Sequence, residues 1–408
     1  MELPPPLPSP PPPRPSLAAR LLAFLSGLGL ATILLILLGL LTWLATLEQI
    51  DGGLHHTLRK YFDWRAFYLI PEIGGKTVPV PLPGGYWVCA LLALNLTLGG
   101  LLRWRKDWRR VGVLIAHLGI IYLLVAGAVA HHFSQRGHML IAEGGASNAA
   151  EDYFEHVVEV AEVKEGKPAT IQVVGGKYLT DLEGRRTRTV RLSAMPFDLE
   201  FSRWLPNAEP KAVAENESVF DLPAGEGYCL MPKPSELNAE ANTPGCSARI
   251  LWRDGKKSEP FMLASTAHQP FSVRCDDRVF TIVLRKRLWL MPFSVRLDKF
   301  TAAFHPGTMK PSKFVSDITR IENAREAKAV IQMNEPMRYE NLTFYQASYQ
   351  QLGQGPSATM ATVLEVVSNP ADKWPQYSLY VVACGLLVHF ITKLVGFIKD
   401  PSRPSHHV

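Results

Sequence analysis

Four long apolar segments constrain the fold of this chain more than any other feature. Three fall within the first third of the 408 residues, one lies near the C-terminus, and a long water-soluble stretch separates them. At about 1.5 Å per residue, each segment is long enough to cross a hydrocarbon core of roughly 30 Å with little or modest tilt. We therefore predict four transmembrane helices, at Leu21–Leu47, Tyr86–Leu102, Val111–Ala130 and Ser378–Ile398.

The predicted fold class is a membrane protein with four transmembrane α-helices plus a large mainly-β extracytoplasmic domain inserted between helices three and four. Short tails flank this arrangement, and the N-terminal tail is too rich in proline to pack. The predicted division is a Pro-rich cytoplasmic tail (1–20), transmembrane helices one to three (21–131), the extracytoplasmic β-rich domain (132–375), transmembrane helix four (376–398) and a cytoplasmic tail (399–408).

Basic residues predict the orientation. The loop Arg103–Arg110 carries five basic residues and one acid, and such a short basic loop stays in the cytoplasm. An even number of spans puts both termini on that same side. We expect a multi-pass protein of the cytoplasmic (inner) membrane, with the large domain on the periplasmic or extracytoplasmic side. This topology also accounts for the net charge of +6 better than a nucleic-acid partner does.

The large domain is predicted to consist of many short strands in an antiparallel sandwich or open barrel. Alternating or branched apolar runs separated by turn signals carry this prediction, at Val279–Leu284, Phe293–Asp298, Ala327–Met333 and Met360–Val367. Cys229 and Cys246 are either joined by a disulfide in an oxidising compartment or free. No Cys-x-x-Cys-His motif is present, so the chain itself does not attach haem in the c-type manner.

Hydrolase, metalloprotease and phosphate-loop motifs are absent from the sequence, and we predict no catalytic residue. The informative polar residues are two histidines in apolar segments, His117 and His389. A titratable group at such depth is costly without a partner and is by default a functional candidate. Two neutral imidazoles across a helix interface suit axial ligation of haem iron, with His389 the weaker candidate. The alternative is that each ring hydrogen-bonds a neighbouring helix.

Several motifs resemble those of the ResB-like family of cytochrome c biogenesis proteins. They comprise Met291–Phe300, Ser316–Asp317, Met333–Tyr339, Leu342–Tyr349 and, in the apolar part, Tyr86–Trp87, Asn95–Leu96 and His117–Gly119. The order of three spans, domain and fourth span is also similar. The Pro-rich tract Pro4–Pro15, the pair His131–His132 and the loop Asn207–Gly245 are not features of the family.

The resemblance implies a membrane subunit of the system II cytochrome c maturation machinery. Such a subunit works with a CcsA (ResC)-type membrane subunit to move haem b outward and present it for attachment to apocytochrome c. The family's intramembrane haem-holding histidine matches His117, and the tryptophan-rich segment of the partner is absent here. Whether the chain alone is an enzyme stays open. The rival hypotheses are a non-haem membrane scaffold and a solute-binding transporter subunit, although the latter would be expected to have repeated or interrupted spans.

Overall fold

The computed structural model describes residues 16–73, 76–77, 79–102, 110–182, 184, 186–212, 224–225, 227–308, 311–353 and 358–399. The chain divides into two compact units. One comprises Met1–Phe133 with Pro370–Val408, and the other Ser134–Asn369. The proline-rich tract, nearly all of the basic loop before Arg110 and the tail after Lys399 lie outside the described residues.

The first unit is helical. Its helices are α1 (Leu17–Leu25), α2 (Leu28–Gly52), α3 (Leu54–Phe62), α4 (Gly85–Leu96), α5 (Val111–Phe133) and α6 (Trp374–Lys399), and a π-helix, Thr97–Leu102, continues α4. Four very short strands follow α3, with β1 (Tyr68–Leu69) paired to β4 (Leu82–Pro83) and β2 (Glu72–Ile73) paired to β3 (Lys76–Thr77).

Three helices in the described part of the chain are long and apolar enough to cross a membrane, namely α2, α5 and α6. The predicted second span corresponds to a shorter apolar helix, Gly85–Leu101. The chain is thus a membrane protein with three candidate spans and a large β-rich part. The count of four spans, and with it the insertion of the β-rich part between the third and fourth, stays a prediction.

The first predicted span is not one continuous helix. α1 ends at Leu25, and α2 begins at Leu28 after an extended Gly27. The Ser26 hydroxyl donates to the Leu22 carbonyl at 2.7 Å, beside the helical bond from the Ser26 amide, and the Gly27 amide donates to the Phe24 carbonyl, three residues back. An apolar run does not reveal such an interruption, because window hydropathy is insensitive to a single Ser–Gly pair.

Small residues bring α5 and α6 into close contact. A methyl group added at Gly112 would lie 2.4 Å from the His389 amide nitrogen, and one added at Gly385 would lie 2.5 Å from the Ala116 amide nitrogen. The Ser378 hydroxyl donates to the Gly119 carbonyl at 2.9 Å. Helices in membranes associate through such small residues and interhelical hydrogen bonds.

The second unit is β-rich and antiparallel. Its strands are β5 (Gln135–Ala142), β6 (Ala146–Lys164), β7 (Lys167–Val174), β8 (Thr187–Val190), β9 (Phe197–Leu205), β10 (Ala208–Ala212), β11 (Ala224–Gly225), β12 (Tyr228–Pro232), β13 (Gly245–Trp252), β14 (Phe261–Ala264), β15 (Phe271–Cys275), β16 (Arg278–Phe304), β17 (Pro311–Glu322), β18 (Arg325–Gln332), β19 (Met337–Tyr339), β20 (Leu342–Leu352) and β21 (Thr359–Ser368). A ten-stranded sheet has the order β18-β17-β16-β6-β5-β21-β20-β19, with β15 beside β16 and β7 beside β6. Smaller sheets have the orders β14-β13-β9-β8 and β10-β12-β11.

Strands β6 and β16 are longer than the many short strands that the sequence predicts, with 19 and 27 residues. The two strands pair with each other from Val279 to Arg296 of β16, and their register shifts twice, between Lys286 and Leu288 and between Leu290 and Val295. Pro292, which has no N–H to donate, lies within the second shift. The bulges bend β16, so that one strand supplies residues to two separate hydrophobic cores, Phe280 and Ile282 to the first core and Phe293 and Val295 to the second core.

The four sequence-predicted strand segments all lie in strands, within β16, β18 and β21, apart from the last residue of Ala327–Met333. Phe344 is fully buried in the second core, and Leu342 packs against the same cluster, as expected for one face of a strand. Cys229 and Cys246 are both free and buried. Burial raises the pKa of the Cys246 thiol to about 12, so this thiol is unreactive at neutral pH.

Candidate functional site

His117 lies in α5 with its ring against the π-helix that continues α4. A methyl group added at Gly100 would lie 2.5 Å from Nδ1 of His117 and 3.1 Å from its Cγ. The ring is half-buried and makes no hydrogen bond to any described residue. The alternative of a hydrogen bond to a neighbouring helix is therefore not realised in the described part of the chain.

The π-helix approaches two elements through consecutive glycines. Gly100 contacts His117, and a methyl group added at Gly99 would lie 2.7 Å from the Ser26 carbonyl oxygen at the break between α1 and α2. π-helical turns are rare and occur often at functional sites. Residues without a Cβ are needed here because both approaches leave no room for one.

Asn95 connects the break to α4. Its Nδ2 donates to the Leu25 carbonyl at 2.7 Å and to the Gly27 carbonyl at 3.0 Å, and the residue is only 5% exposed. The Leu25 carbonyl lies at the end of α1, where the helix stops, and the Gly27 carbonyl otherwise accepts only a long 3.4 Å bond from the Ala31 amide among the described residues. In a membrane such groups must be satisfied by neighbouring protein, and Asn95 does this.

His389 lies on the α6 surface that faces α5, since its backbone adjoins Gly112. Its Nδ1 is buried and has no hydrogen-bond partner among the described residues. His117 is five residues beyond Gly112, which corresponds to about 7.5 Å along the axis and about 140° around it. The structure therefore does not bring the two imidazoles together as a facing pair across one helix interface.

A cluster of imidazole and aromatic rings joins the start of α4 to the end of α5. It was not predicted as a site from the sequence. The Tyr86 hydroxyl and Nε2 of His132 are 3.1 Å apart, and the rings of His131 and His132 are 5.1 Å apart. Trp64 packs near His132 with ring centroids 6.4 Å apart, and its carbonyl accepts a 2.9 Å bond from Trp87 Nε1. The only sequence signal was aromatic and imidazole residues at both ends of apolar segments, which is also typical of interfacial belts.

Near the end of α2, Glu48 makes a buried ionic contact with Lys60 that the sequence did not predict. Glu48 accepts bonds from Lys60 Nζ at 2.5 Å, Tyr61 Oη at 2.7 Å and the Glu72 amide at 3.2 Å. Burial, followed by the bond to Glu48, raises the pKa of the Tyr61 phenol well above its usual range. This network fixes α3 against α2, and no spacing rule in the sequence predicts it.

The described part of the β-rich unit has an open cavity of about 460 Å³ at its surface. The turn after β18 lines it with Met333, Asn334 and Pro336, and β20 contributes Tyr345 and Gln346. Among the described residues no group of three or more His, Cys, Asp or Glu side chains is arranged to hold a metal ion. The β-rich unit thus offers an open surface cavity with both polar and apolar lining within the described part of the chain.

Comparison with known protein families matches residues 104–174 and 265–371 to the ResB-like family. The matched residues include α5 with His117, strands β5 to β7 and strands β15 to β21. His389 and the π-helix lie outside them. No curated protein matches the chain.

Proposed function

Because this chain belongs to the ResB-like family, whose members take part in cytochrome c biogenesis, we propose that it is a haem-handling membrane subunit of the system II maturation machinery. In this proposal it moves haem b across the membrane as cargo, together with a CcsA (ResC)-type membrane subunit. The β-rich unit, on the extracytoplasmic side, helps to present the haem for attachment to apocytochrome c.

The observation that carries the proposal is the setting of His117. The ring lies within an apolar helix and inside the family-matched region, and no described residue hydrogen-bonds it. A neutral imidazole in an apolar site is a suitable axial ligand for haem iron. Since His389 does not face His117, the preferred source of the second axial ligand in this proposal is the partner subunit. His389 is the weaker candidate.

One observation favours a second candidate function, a solute-binding transporter subunit. The helix interruption at Ser26–Gly27 is of the kind that transporters use near binding sites. Both carbonyls beside the interruption are already bonded to Asn95, which leaves them less able to coordinate a solute. This favours haem handling over transport of another solute.

The test is the haem absorption spectrum of the chain purified with and without its partner subunit, for the natural sequence and for His117→Ala, His389→Ala and Leu118→Ala. Leu118 is the matched control, because it is 45% exposed on the same helix. We expect His117→Ala to lose haem while the chain stays inserted, since Ala favours helix, and added imidazole to restore part of cytochrome c maturation. Full haem content in His117→Ala, His389→Ala and the double variant would overturn the ligand assignment.

A further inference from the structure

Two departures from regular helix adjoin each other in the helical unit, and one of them contacts the candidate haem ligand. They are the break at Ser26–Gly27 and the π-helix Thr97–Leu102, which contains a glycine pair. The first glycine of the pair adjoins Ser26, and the second contacts the side chain of His117. Irregular backbone at membrane depth persists only where protein surrounds it or where it lines a cavity.

The contact with Gly100 is directional. The three His117 atoms nearest to a Cβ built on Gly100 are Nδ1 at 2.5 Å, Cγ at 3.1 Å and Cβ at 3.4 Å. Nε2 is thus the ring nitrogen farther from the glycine. The backbone of the π-helix covers the Nδ1 edge of the ring, and the Nε2 edge is directed elsewhere.

The position of Gly100 is itself fixed from the other side of the π-helix. Gly99 adjoins the Ser26 carbonyl, where an added methyl group would lie at 2.7 Å. One turn earlier, Asn95 donates to the carbonyls of Leu25 and Gly27. The α1–α2 break therefore anchors α4 and its π-helix, and the π-helix in turn limits the orientations open to the His117 ring.

We infer that Gly100 is a positioning residue for the haem site, holding the His117 ring with its Nδ1 edge against the π-helix and its Nε2 free for haem iron. This inference rests on the proposed function and adds to it the nitrogen that ligates and the element that orients it. The interactions around a ligating histidine select its nitrogen and ring orientation, and they influence metal affinity strongly. Here a backbone surface without a side chain performs that role.

The experiment compares three glycine-to-alanine variants of the full chain, purified with its partner subunit. Gly100→Ala places a methyl group against the His117 ring, and Gly99→Ala places one against the Ser26 carbonyl without touching that ring. Gly127→Ala is the neutral control, because nothing lies within 4 Å of the added Cβ. The measurements are haem content, the spectroscopic signature of histidine ligation, and chain abundance.

We expect Gly100→Ala to lower histidine-ligated haem by about 10-fold, within the range found when the surroundings of a ligand are altered. Gly99→Ala should lower haem per chain less than Gly100→Ala does, because its methyl group affects the His117 ring only through the backbone of the π-helix, and Gly127→Ala should match the natural sequence. In a His117→Gly background, haem restored by added imidazole should be the same with Gly or Ala at position 100, because free imidazole can shift away from the methyl group.

Unchanged haem ligation in Gly100→Ala would overturn the inference, as would equal losses of haem per chain in Gly99→Ala and Gly100→Ala. If Gly100→Ala fails to accumulate while the other variants do, we measure the abundance of the double variant with His117→Gly. Recovery there supports a clash with the ring, and no recovery shows a general packing role and overturns the inference. Full haem in His117→Ala would instead overturn the proposed function, whatever Gly100→Ala shows.

Discussion

At the scale of single residues, the structure pairs several buried polar groups with partners far apart in sequence, as at Glu48, Asn95 and Ser378. Glu48 is 8% exposed and is bonded by three partners, of which two lie on α3 and one on the backbone at Glu72. A buried carboxylate is stabilising only when it is fully paired, because removal of one partner leaves an unsatisfied group. The individual bonds of this network should therefore be measurable.

Tyr61→Phe removes one bond to Glu48 while retaining the aromatic ring in its buried position. We expect this change to destabilise the helical unit by about 1.5 to 3 kcal/mol, as for other bonds to charged groups. The measurement is the thermal unfolding midpoint of the chain in detergent. Tyr68→Phe is the control, since Tyr68 is 71% exposed, and an equal effect of both changes would contradict the role of the bond.

His156 is a buried titratable residue of β6. Burial lowers its pKa from 6.5 to about 4, so between these values the unfolded chain binds a proton that the folded chain does not. The stability that comes from burying the neutral His156 ring is fully present above pH 6.5. It is lost as the pH falls from 6.5 towards 4, because the unfolded chain then gains a proton on this ring. We expect His156→Gln to reduce the loss of stability over this window by roughly 2 to 3 kcal/mol.

The measurement for His156 is the pH dependence of the unfolding midpoint of the β-rich unit in the full chain. His268 provides the control, because it is exposed and His268→Gln leaves buried groups unchanged. An unaltered pH dependence in His156→Gln would show that the folded chain accommodates the protonated ring.

At the scale of elements, periodicity predicted strands better than helix interruptions. Branched and alternating apolar residues identified the segments now found in β16, β18 and β21, because one face of each is buried. The break before α2 and the π-helix were not predictable in this way. Both depend on contacts between distant residues, such as Asn95 with Gly27, and neither changes the local hydrophobic pattern.

Strand β20 offers a direct test of the second core. Phe344 is fully buried and lies 6.1 Å from the Phe293 ring centroid. Phe344→Ala should destabilise the β-rich unit by roughly 3 to 5 kcal/mol, because it removes a large side chain from a packed core. Chain abundance and protease resistance measure this. Leu352→Ala, on the same strand but 38% exposed, should change neither, and equal results would argue against the core assignment.

At the scale of the whole molecule, the candidate site illustrates what a sequence can and cannot predict. His117 is recognisable because a titratable residue in an apolar helix is unusual. Its contact with Gly100 and its separation from His389 depend on how α4, α5 and α6 pack, which is set by small residues at helix contacts. Residue spacing alone cannot reveal which face of a helix meets which neighbour.

The side of the membrane on which the β-rich unit lies depends on the shortest apolar helix. If the N-terminus is cytoplasmic and α4 with its π-helix crosses the membrane, α5 is the third span and the β-rich unit is extracytoplasmic. If Gly85–Leu101 does not cross, α5 is the second span and the same unit is cytoplasmic. The 17 residues of this helix extend about 25 Å, slightly less than a typical hydrocarbon core, so length alone does not decide.

The basic loop Arg103–Arg110 predicts four spans, because its five basic residues oppose translocation of a short segment. We therefore expect a reporter that is active only outside the cytoplasm to be active when fused after Pro375 and inactive when fused after Arg110. A reporter active only in the cytoplasm should give the opposite pattern at the same two positions, which controls for unstable fusions. Activity of the extracytoplasmic reporter after Arg110 but not after Pro375 would mean either that α4 does not cross or that the orientation of all four spans is inverted. The β-rich unit would then lie in the cytoplasm, where it could not present haem to an extracytoplasmic apocytochrome.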